Sequence, residues 1–332
     1  MTQSAIESAM SVPDASELAG RVLTEVERAV VGKRLPLTLV LAAVLAKGHV
    51  LLEDFPGLGK TLAARSLARV LGLTFSRVQF TPDLLPADVT GSFLYNQREG
   101  SFEFRRGPLF TGLLLADEIN RTPPKTQSAL LEAMQERQVT VEGETFPLPD
   151  PFHVLATANP IEYEGTYPLP EAQLDRFLMR VSFGYPTSDQ EYDVVQRRLD
   201  RQREEVDLSE VTDDAGLRAM QAATETVTVD ETVSRYCVRL ATATREHNDV
   251  LTGSSPRGSL GLVLAARGFA LVRGRDYVLT DDLQALAKDA LRHRLVLTYQ
   301  ALAEEVTPDT ILDKVLAAVS VPKIDLASTG AA

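Results

Sequence analysis

The stretch Gly48-His-Val-Leu-Leu-Glu-Asp-Phe-Pro-Gly-Leu-Gly-Lys-Thr-Leu-Ala-Ala-Arg constrains this chain more than any other part of it. Residues 49–53 read as a short apolar strand, a Gly/Pro-rich turn follows, and helical spacing starts at Lys60. A strand that feeds a glycine turn opening a helix converges backbone N–H groups and the positive end of a helix dipole on one point, which is an anion site. Pro56, Gly57, Leu58, Gly59, Lys60, Thr61 and Leu62 form that cradle, with Lys60 as the mobile charge for terminal phosphates and Thr61 as a Mg²⁺ ligand. The general pattern G-x-x-x-x-G-K-[ST] has glycine where this chain has Asp54. An acid there adds negative charge close to bound phosphates, and weakened nucleotide affinity is the expected consequence. The plainer reading of the segment is an ordinary strand-turn-helix junction with a capping threonine.

Four later features decide between these readings by their order. Gly112-Leu-Leu-Leu-Ala-Asp-Glu118 is an apolar run ending in two acids, as a central parallel strand buried on both faces reads. Following a phosphate loop, Asp117 is the Mg²⁺-holding acid, and Glu118, one residue past the strand, is the candidate general base that polarises water. Asn159, at the tip of the apolar run 152–158, is placed to hydrogen-bond that water or the γ-phosphate. Arg176, in Leu174-Asp-Arg-Phe177, offers planar donors matched to phosphate oxygens. Arg257, in Ser254-Ser-Pro-Arg257, opens a helix further on, from which it could contact the γ-phosphate and make the position of that part depend on it. Taken singly each is ordinary: a strand capped by solvated acids, a turn-forming asparagine, an arginine paired with Asp175 or Glu171, a solvated helix-start arginine. Together they fall in the order a nucleotide site requires.

A chain of 332 residues exceeds the roughly 250–300 at which single cores stop growing, so two domains are expected. Residues 1–13 read as a flexible tail, 14–185 as an α/β nucleotide-binding core, 186–323 as a helical lid, and 324–332 as a loose end. Within the core, Asp14-Ala-Ser-Glu17 is a capping box for a helix running to Val30, and Pro36 opens a second helix that Gly48 closes. Gly-containing turns near residues 98–100 and 142–144 predict two hairpins inserted in the series. Beyond Pro186 strand signals fade and helical spacing takes over. The net charge of −12 argues against a general nucleic-acid or anionic-membrane surface. Cys237 is the only cysteine, so an internal disulfide is excluded; it and the four histidines read as residues without chemistry, and the composition fits a reducing cytoplasm. No apolar run approaches membrane-spanning length, and no leader signal precedes Arg21.

Loop, Asp-Glu strand, Asn strand, Leu-Asp-Arg-Phe and Ser-Pro-Arg in this order resemble an AAA+ ATPase. The long stretches Gln79-Phe-Thr-Pro-Asp-Leu-Leu-Pro-Ala-Asp-Val-Thr-Gly91, the run from Ala116 to Glu136, and Pro170-Glu-Ala-Gln-Leu-Asp-Arg-Phe177 resemble the MoxR family more narrowly. The resemblance implies a P-loop parallel sheet with helices on both faces, followed by a smaller all-α lid, and nucleotide bound in the cleft between them. It makes Lys60 and Thr61 the Walker A pair, Asp117 and Glu118 Walker B, Asn159 sensor 1, Arg257 sensor 2, and Arg176 an arginine finger acting on the neighbouring subunit. Val31 and Gly32 are assigned to the nucleotide site with the loop residues. ATP and Mg²⁺ are the implied cofactors. A homo-oligomeric ring, usually hexameric in the family, and a client protein are implied partners, with a von Willebrand factor A domain partner or metal insertion as family variations. A nucleotide-gated scaffold with little turnover, and a nucleic-acid or transcription-linked ATPase, are the alternatives.

Overall fold

Residues 10–159 and 166–322 are described in the computed structural model of the chain. Most of the expected N-terminal tail, the whole of the expected 324–332 tail, and Pro160 beside Asn159 lie outside the described residues. Two helices lead in, α1 (Val12–Glu27) and α2 (Arg34–Leu45). Next come β1 (Val50–Glu53), α3 (Lys60–Val70), β2 (Phe75–Gln79), α4 (Pro86–Thr90) and the hairpin β3 (Gly91–Asn96) with β4 (Ser101–Arg106). The series goes on through β5 (Leu113–Asp117), α5 (Pro124–Glu136), the hairpin β6 (Gln138–Val141) with β7 (Glu144–Pro147), β8 (His153–Ala158), α6 (Glu171–Leu174) and β9 (Met179–Val181). After β9 lie α7 (Ser188–Arg201), α8 (Asp214–Thr226), α9 (Glu231–Arg245), β10 (Val250–Thr252), α10 (Pro256–Val272) and α11 (Thr280–Leu291). The last elements are β11 (Val296–Leu297), α12 (Tyr299–Ala303) and α13 (Pro308–Ala318).

The central sheet is parallel, in the order β2-β5-β8-β1-β9. The inner strands β5, β8 and β1 are mostly apolar because alternate residues feed opposite buried faces, while the edge strand β2 carries Ser76, Arg77 and Gln79. Val50, Leu52, Leu113, Leu115 and Leu155 enter one core with α1, α2 and α3, while Leu51, Leu114, Ala116, Val154 and Ala156 enter the other with α5. The first of these cores does not stop at the sheet: Leu217, Tyr236, Leu262, Phe269 and Leu286, from α8 to α11, belong to the same apolar cluster. Close approach makes this possible at Gly268, where a Cβ would collide with the Ala42 carbonyl of α2. Both inserted hairpins form where the glycine turns predict them, with registers centred on Phe93↔Phe104 and Val139↔Phe146.

Three expectations need correcting. The first helix starts at Val12, not at Asp14, because Ser11 caps it by accepting from Asp14 N (3.2 Å) and Pro13 suits the first turn, where no N–H is needed. It also ends at Glu27, short of Val30. Finally, the helical part carries the antiparallel pair β10–β11 and the helices α12 and α13, which the sequence did not disclose. Strands of two and three residues are fixed by their partner, here Val250↔Leu297, and leave no period to read.

Candidate functional site

The C-terminal ends of β1, β5 and β8 lie side by side, which is where a parallel sheet binds ligands. A cavity of about 380 Å³ opens there, lined by Pro56, Gly57, Leu58, Gly59, Lys60, Thr61 and Leu62, by Asp117 and Glu118, and by Thr157, Ala158 and Asn159. Gly57 and Gly59 have φ of +83° and +82°, so the turn needs residues free of a Cβ for conformational reasons even though space around them is open. Lys60, in the first turn of α3, donates to the Asp54 carbonyl oxygen at 2.6 Å. Burial lowers its pKa, and the negative charges of Asp54, Asp117 and Glu118 oppose that shift.

Thr157 ties the two acids together. Its hydroxyl donates to Asp117 Oδ1 (2.6 Å) and accepts from Glu118 N (2.8 Å). Glu118 itself sits at φ +57°, a left-handed conformation that is costly for a non-glycine residue and turns its carboxylate out of the strand line. Gln79 Nε2 (2.6 Å) and Arg121 Nη1 (2.9 Å) donate to Glu118 Oε2, and Arg77 donates from Nε (3.0 Å) and Nη2 (2.7 Å) to Asp117 Oδ2. Sequence reasoning missed Thr157, Arg77, Gln79 and Arg121 as site residues. Arg77 and Gln79 reach the acids only because β2 pairs with β5 in the register Gln79↔Asp117, and a lone sequence does not give strand order. Thr61 and Asp117 present a hydroxyl and a carboxylate to one cavity, hard donors that suit Mg²⁺ held jointly with substrate phosphates. Among the described residues no group of three or more His, Cys, Asp or Glu side chains could hold a metal by itself.

Asp54 does not face this cavity. It is buried, and its carboxylate accepts from Ser182 Oγ (2.8 Å), from Phe183 N, and from Gly184 N at 3.3–3.4 Å. The acid that breaks the general loop pattern is therefore a clamp on the backbone just after β9. The turn before α2 grips the same segment: Lys33 Nζ donates to Gly184 O at 2.8 Å, and Gly32 packs so closely on Gln190 that a Cβ would displace it. Val31 and Gly32 are not among the residues lining the cavity.

Arg176 and Arg257 are not there either. They line a second recess, of about 240 Å³, together with Gly48, His49, Arg137, Asp175, Leu178 and Arg294. Gly48 and His49 precede β1 and Asp54 follows it, so the two recesses stand at opposite ends of the sheet, separated by roughly 20 Å at about 3.3 Å per strand residue. The expected cleft between core and lid is thus not what the geometry provides: among the described residues, those lining the first cavity all come from the sheet-bearing part of the chain. Among the described residues neither Arg176 nor Arg257 has a side-chain hydrogen-bond or ion-pair partner, and Arg257 is exposed.

Comparison with known proteins shows the family and the fold. Residues 49–179 match the model of the ATPase family associated with various cellular activities (AAA), and residues 242–315 match that of the AAA lid domain. The uncharacterized protein YeaC of Bacillus subtilis is 49% identical over 309 residues, 93% of this chain and 96% of that one. The chaperone MoxR1 of Mycobacterium tuberculosis is 47% identical over 92% of this chain and 82% of its own length. A crystal structure of a candidate ATPase from Cytophaga hutchinsonii is similar with a TM-score of 0.87 and 40% identity, over 94% of this chain and 97% of that one.

Proposed function

This chain belongs to the MoxR family of AAA+ ATPases, and from that premise we propose that it hydrolyses ATP at a cavity that a second copy completes, in the service of remodelling a client protein. The observation that carries this reading is the separation of Arg176 and Arg257 from Lys60, Asp117 and Glu118. A guanidinium at one end of the sheet cannot touch phosphates at the other end of the same sheet. Two arginines without a side-chain partner among the described residues, Arg257 exposed and Arg176 half-buried, are instead suited to the cavity of a neighbour, which is how a ring would use them.

In this reading the loop residues 57–62 cradle the phosphates and Lys60 leaves the Asp54 carbonyl to meet the terminal ones. Glu118 takes the proton of the attacking water and Asn159 orients it. Thr157 fixes the acids against each other while this happens. Thr61 and Asp117 would hold Mg²⁺, which would supply positive charge to offset that of the bound phosphates. Arg176 and Arg257 from the neighbour stabilise the charge spread over the transferring group, a contribution of about 10³–10⁵ in rate for such an arginine.

The relative named a chaperone favours the remodelling role, and a ring, a client and a von Willebrand factor A domain partner remain part of the proposal, as does metal insertion for some clients. The β3–β4 hairpin is the proposed client contact: Tyr95 and Phe102 are 56% and 69% exposed, with ring centroids 5.2 Å apart. No helix among the described residues is long and apolar enough to cross a membrane, and a cytoplasmic site of action is proposed. Mixed assemblies test the reading. Lys60→Ala copies retain the arginines and Arg176→Ala copies retain the loop, so mixing two inactive proteins should restore turnover at the mixed interfaces. Co-assembly without any recovery would refute action across copies. Glu118→Gln separates a motor from a nucleotide-gated switch: the motor loses turnover while ATP binding persists.

A further inference from the structure

Arg176 and Arg257 belong to distant parts of the chain, the turn after α6 and the first turn of α10, yet they line one recess. A half-buried polar knot centred on Asp175 lies between the two segments. Arg294, whose side chain is only 3% exposed, donates from Nε to Asp175 Oδ1 at 2.6 Å. Its Nη2 donates to the Phe177 carbonyl at 2.8 Å, and its Nη1 to the carbonyls of Ala290 and, at 3.4 Å, Leu178. The other oxygen of the same carboxylate, Asp175 Oδ2, accepts from Ser255 Oγ at 3.1 Å. Ser255 caps α10, and its Oγ also accepts from the backbone N of Arg257 at 3.2 Å. One carboxylate therefore joins the residue next to Arg176 with the cap of the helix that carries Arg257.

Glycines give the knot its room. A Cβ at Gly258 would collide with Ser254 Oγ and lie 3.0 Å from Arg294 Cδ; one at Gly261 would lie 3.3 Å from Arg294 Nη2. His293 adds a second tie, its Nε2 lying 3.1 Å from the Phe177 carbonyl. An ion pair with one partner buried and the other half-buried is a poor glue, because desolvation offsets much of the attraction, and apolar packing would hold α10 and α11 to the sheet as well. What the ion pair offers is direction. Every one of its side-chain bonds to the 175–178 turn or to α10 falls within two residues of Arg176 or Arg257.

We propose that Asp175, Arg294 and Ser255 are positioning residues that hold Arg176 and Arg257 as a single two-armed unit directed at a neighbouring copy's phosphates. The proposal rests on the reading that those arginines act across copies. Its test uses the full-length protein with Asp175→Asn, which keeps the shape and removes the charge. Turnover should fall tenfold or more, toward the roughly hundredfold that about 1 Å of misplacement costs, while binding of a fluorescent ATP analogue to the variant's own cavity stays within about twofold of wild type. Mixing Asp175→Asn with Lys60→Ala should restore turnover, because Lys60→Ala copies supply intact arginine pairs; a general folding defect would not be rescued in this way.

Arg176→Ala is mixed with Lys60→Ala in parallel. Rescue of Arg176→Ala but not of Asp175→Asn would overturn the positioning role and leave action across copies standing. Rescue of neither, with co-assembly demonstrated, would remove both. Wild-type turnover in Asp175→Asn would overturn the positioning role directly. Should Asp175→Asn fail to fold, Ser255→Ala is the replacement variant: it should lose turnover, and Ser255→Thr, which keeps the hydroxyl, should recover it, while equal turnover in the two would overturn the proposal.

Discussion

Replacing Asp54 by alanine separates two effects that the sequence alone confounds, the charge of the residue and its hydrogen bonds. The carboxylate accepts from the buried Phe183 N, from the half-buried Gly184 N and from the exposed Ser182 Oγ. A hydrogen bond to a charged group contributes about 1.5–3 kcal/mol, most of it where water cannot substitute. The Phe183 bond is counted in full, the longer Gly184 bond at about half and the Ser182 bond at little, which gives a loss of about 3 kcal/mol for Asp54→Ala. In a chain of this size about 2 °C of melting temperature is lost per kcal/mol, so differential scanning should show a fall of about 6 °C. Asp54→Asn, with one acceptor oxygen left, should fall about half as far. Removing a negative charge near Lys60 also acts through the field, tightening nucleotide binding by an amount that salt screens. The loss of the clamp is not screened, so the melting shift should persist at high salt. A melting temperature within 1 °C of wild type would refute the clamp and return Asp54 to the role of a repelling charge.

Two further outcomes follow from the packing. Gly268→Ala places a methyl group against the Ala42 carbonyl where α10 crosses α2, so overpacking of about 1–3 kcal/mol should exceed the gain in helix propensity and lower the melting temperature. Burial holds His49 at about 3, His153 at about 4 and His293 well below its ordinary value, all under the usual 6.5 of the unfolded chain, so the unfolded state binds more protons at mildly acid pH. Stability present above pH 6.5 is therefore lost as pH falls, by about 1.4 kcal/mol for each histidine at pH 5.5. Asp289, which burial pushes up to about 6, takes up a proton in the folded state over the same range and offsets about 0.8 kcal/mol of this. Urea midpoints at pH 7 and 5.5 should differ by a net loss of about 3 kcal/mol, and an unchanged midpoint would contradict neutral burial of these rings.

The sheet was legible because its physics is local. A strand buried on both faces must be apolar at every position, and Leu113 to Ala116 are; a glycine turn before a helix must precede Lys60, and Gly57 and Gly59 do. The loop, both acids and Asn159 come together in one cavity for the same reason, since parallel strands bring their tips to one edge. What stayed hidden depends on which strand lies beside which. Gln79 and Arg77 reach the acids through pairing of β2 with β5, and Asp54 finds its donors 128 to 130 residues later in sequence. Arg257 lines the recess at the other end of the sheet, and its motif names a helix start, not the side of the sheet that the helix covers. Its neighbour in the recess, Arg176, lies beside it through the Ser255–Asp175 contact across 80 residues of sequence, which no local pattern announces.

The central claim is that one copy binds nucleotide and two copies hydrolyse it. Turnover per chain should be measured across a dilution series in which assembly is followed by sedimentation and nucleotide occupancy by a fluorescent analogue. Turnover should fall together with assembly, by about three orders of magnitude or more once the neighbouring arginines are gone, while occupancy persists. Full turnover by a monomer would contradict the account.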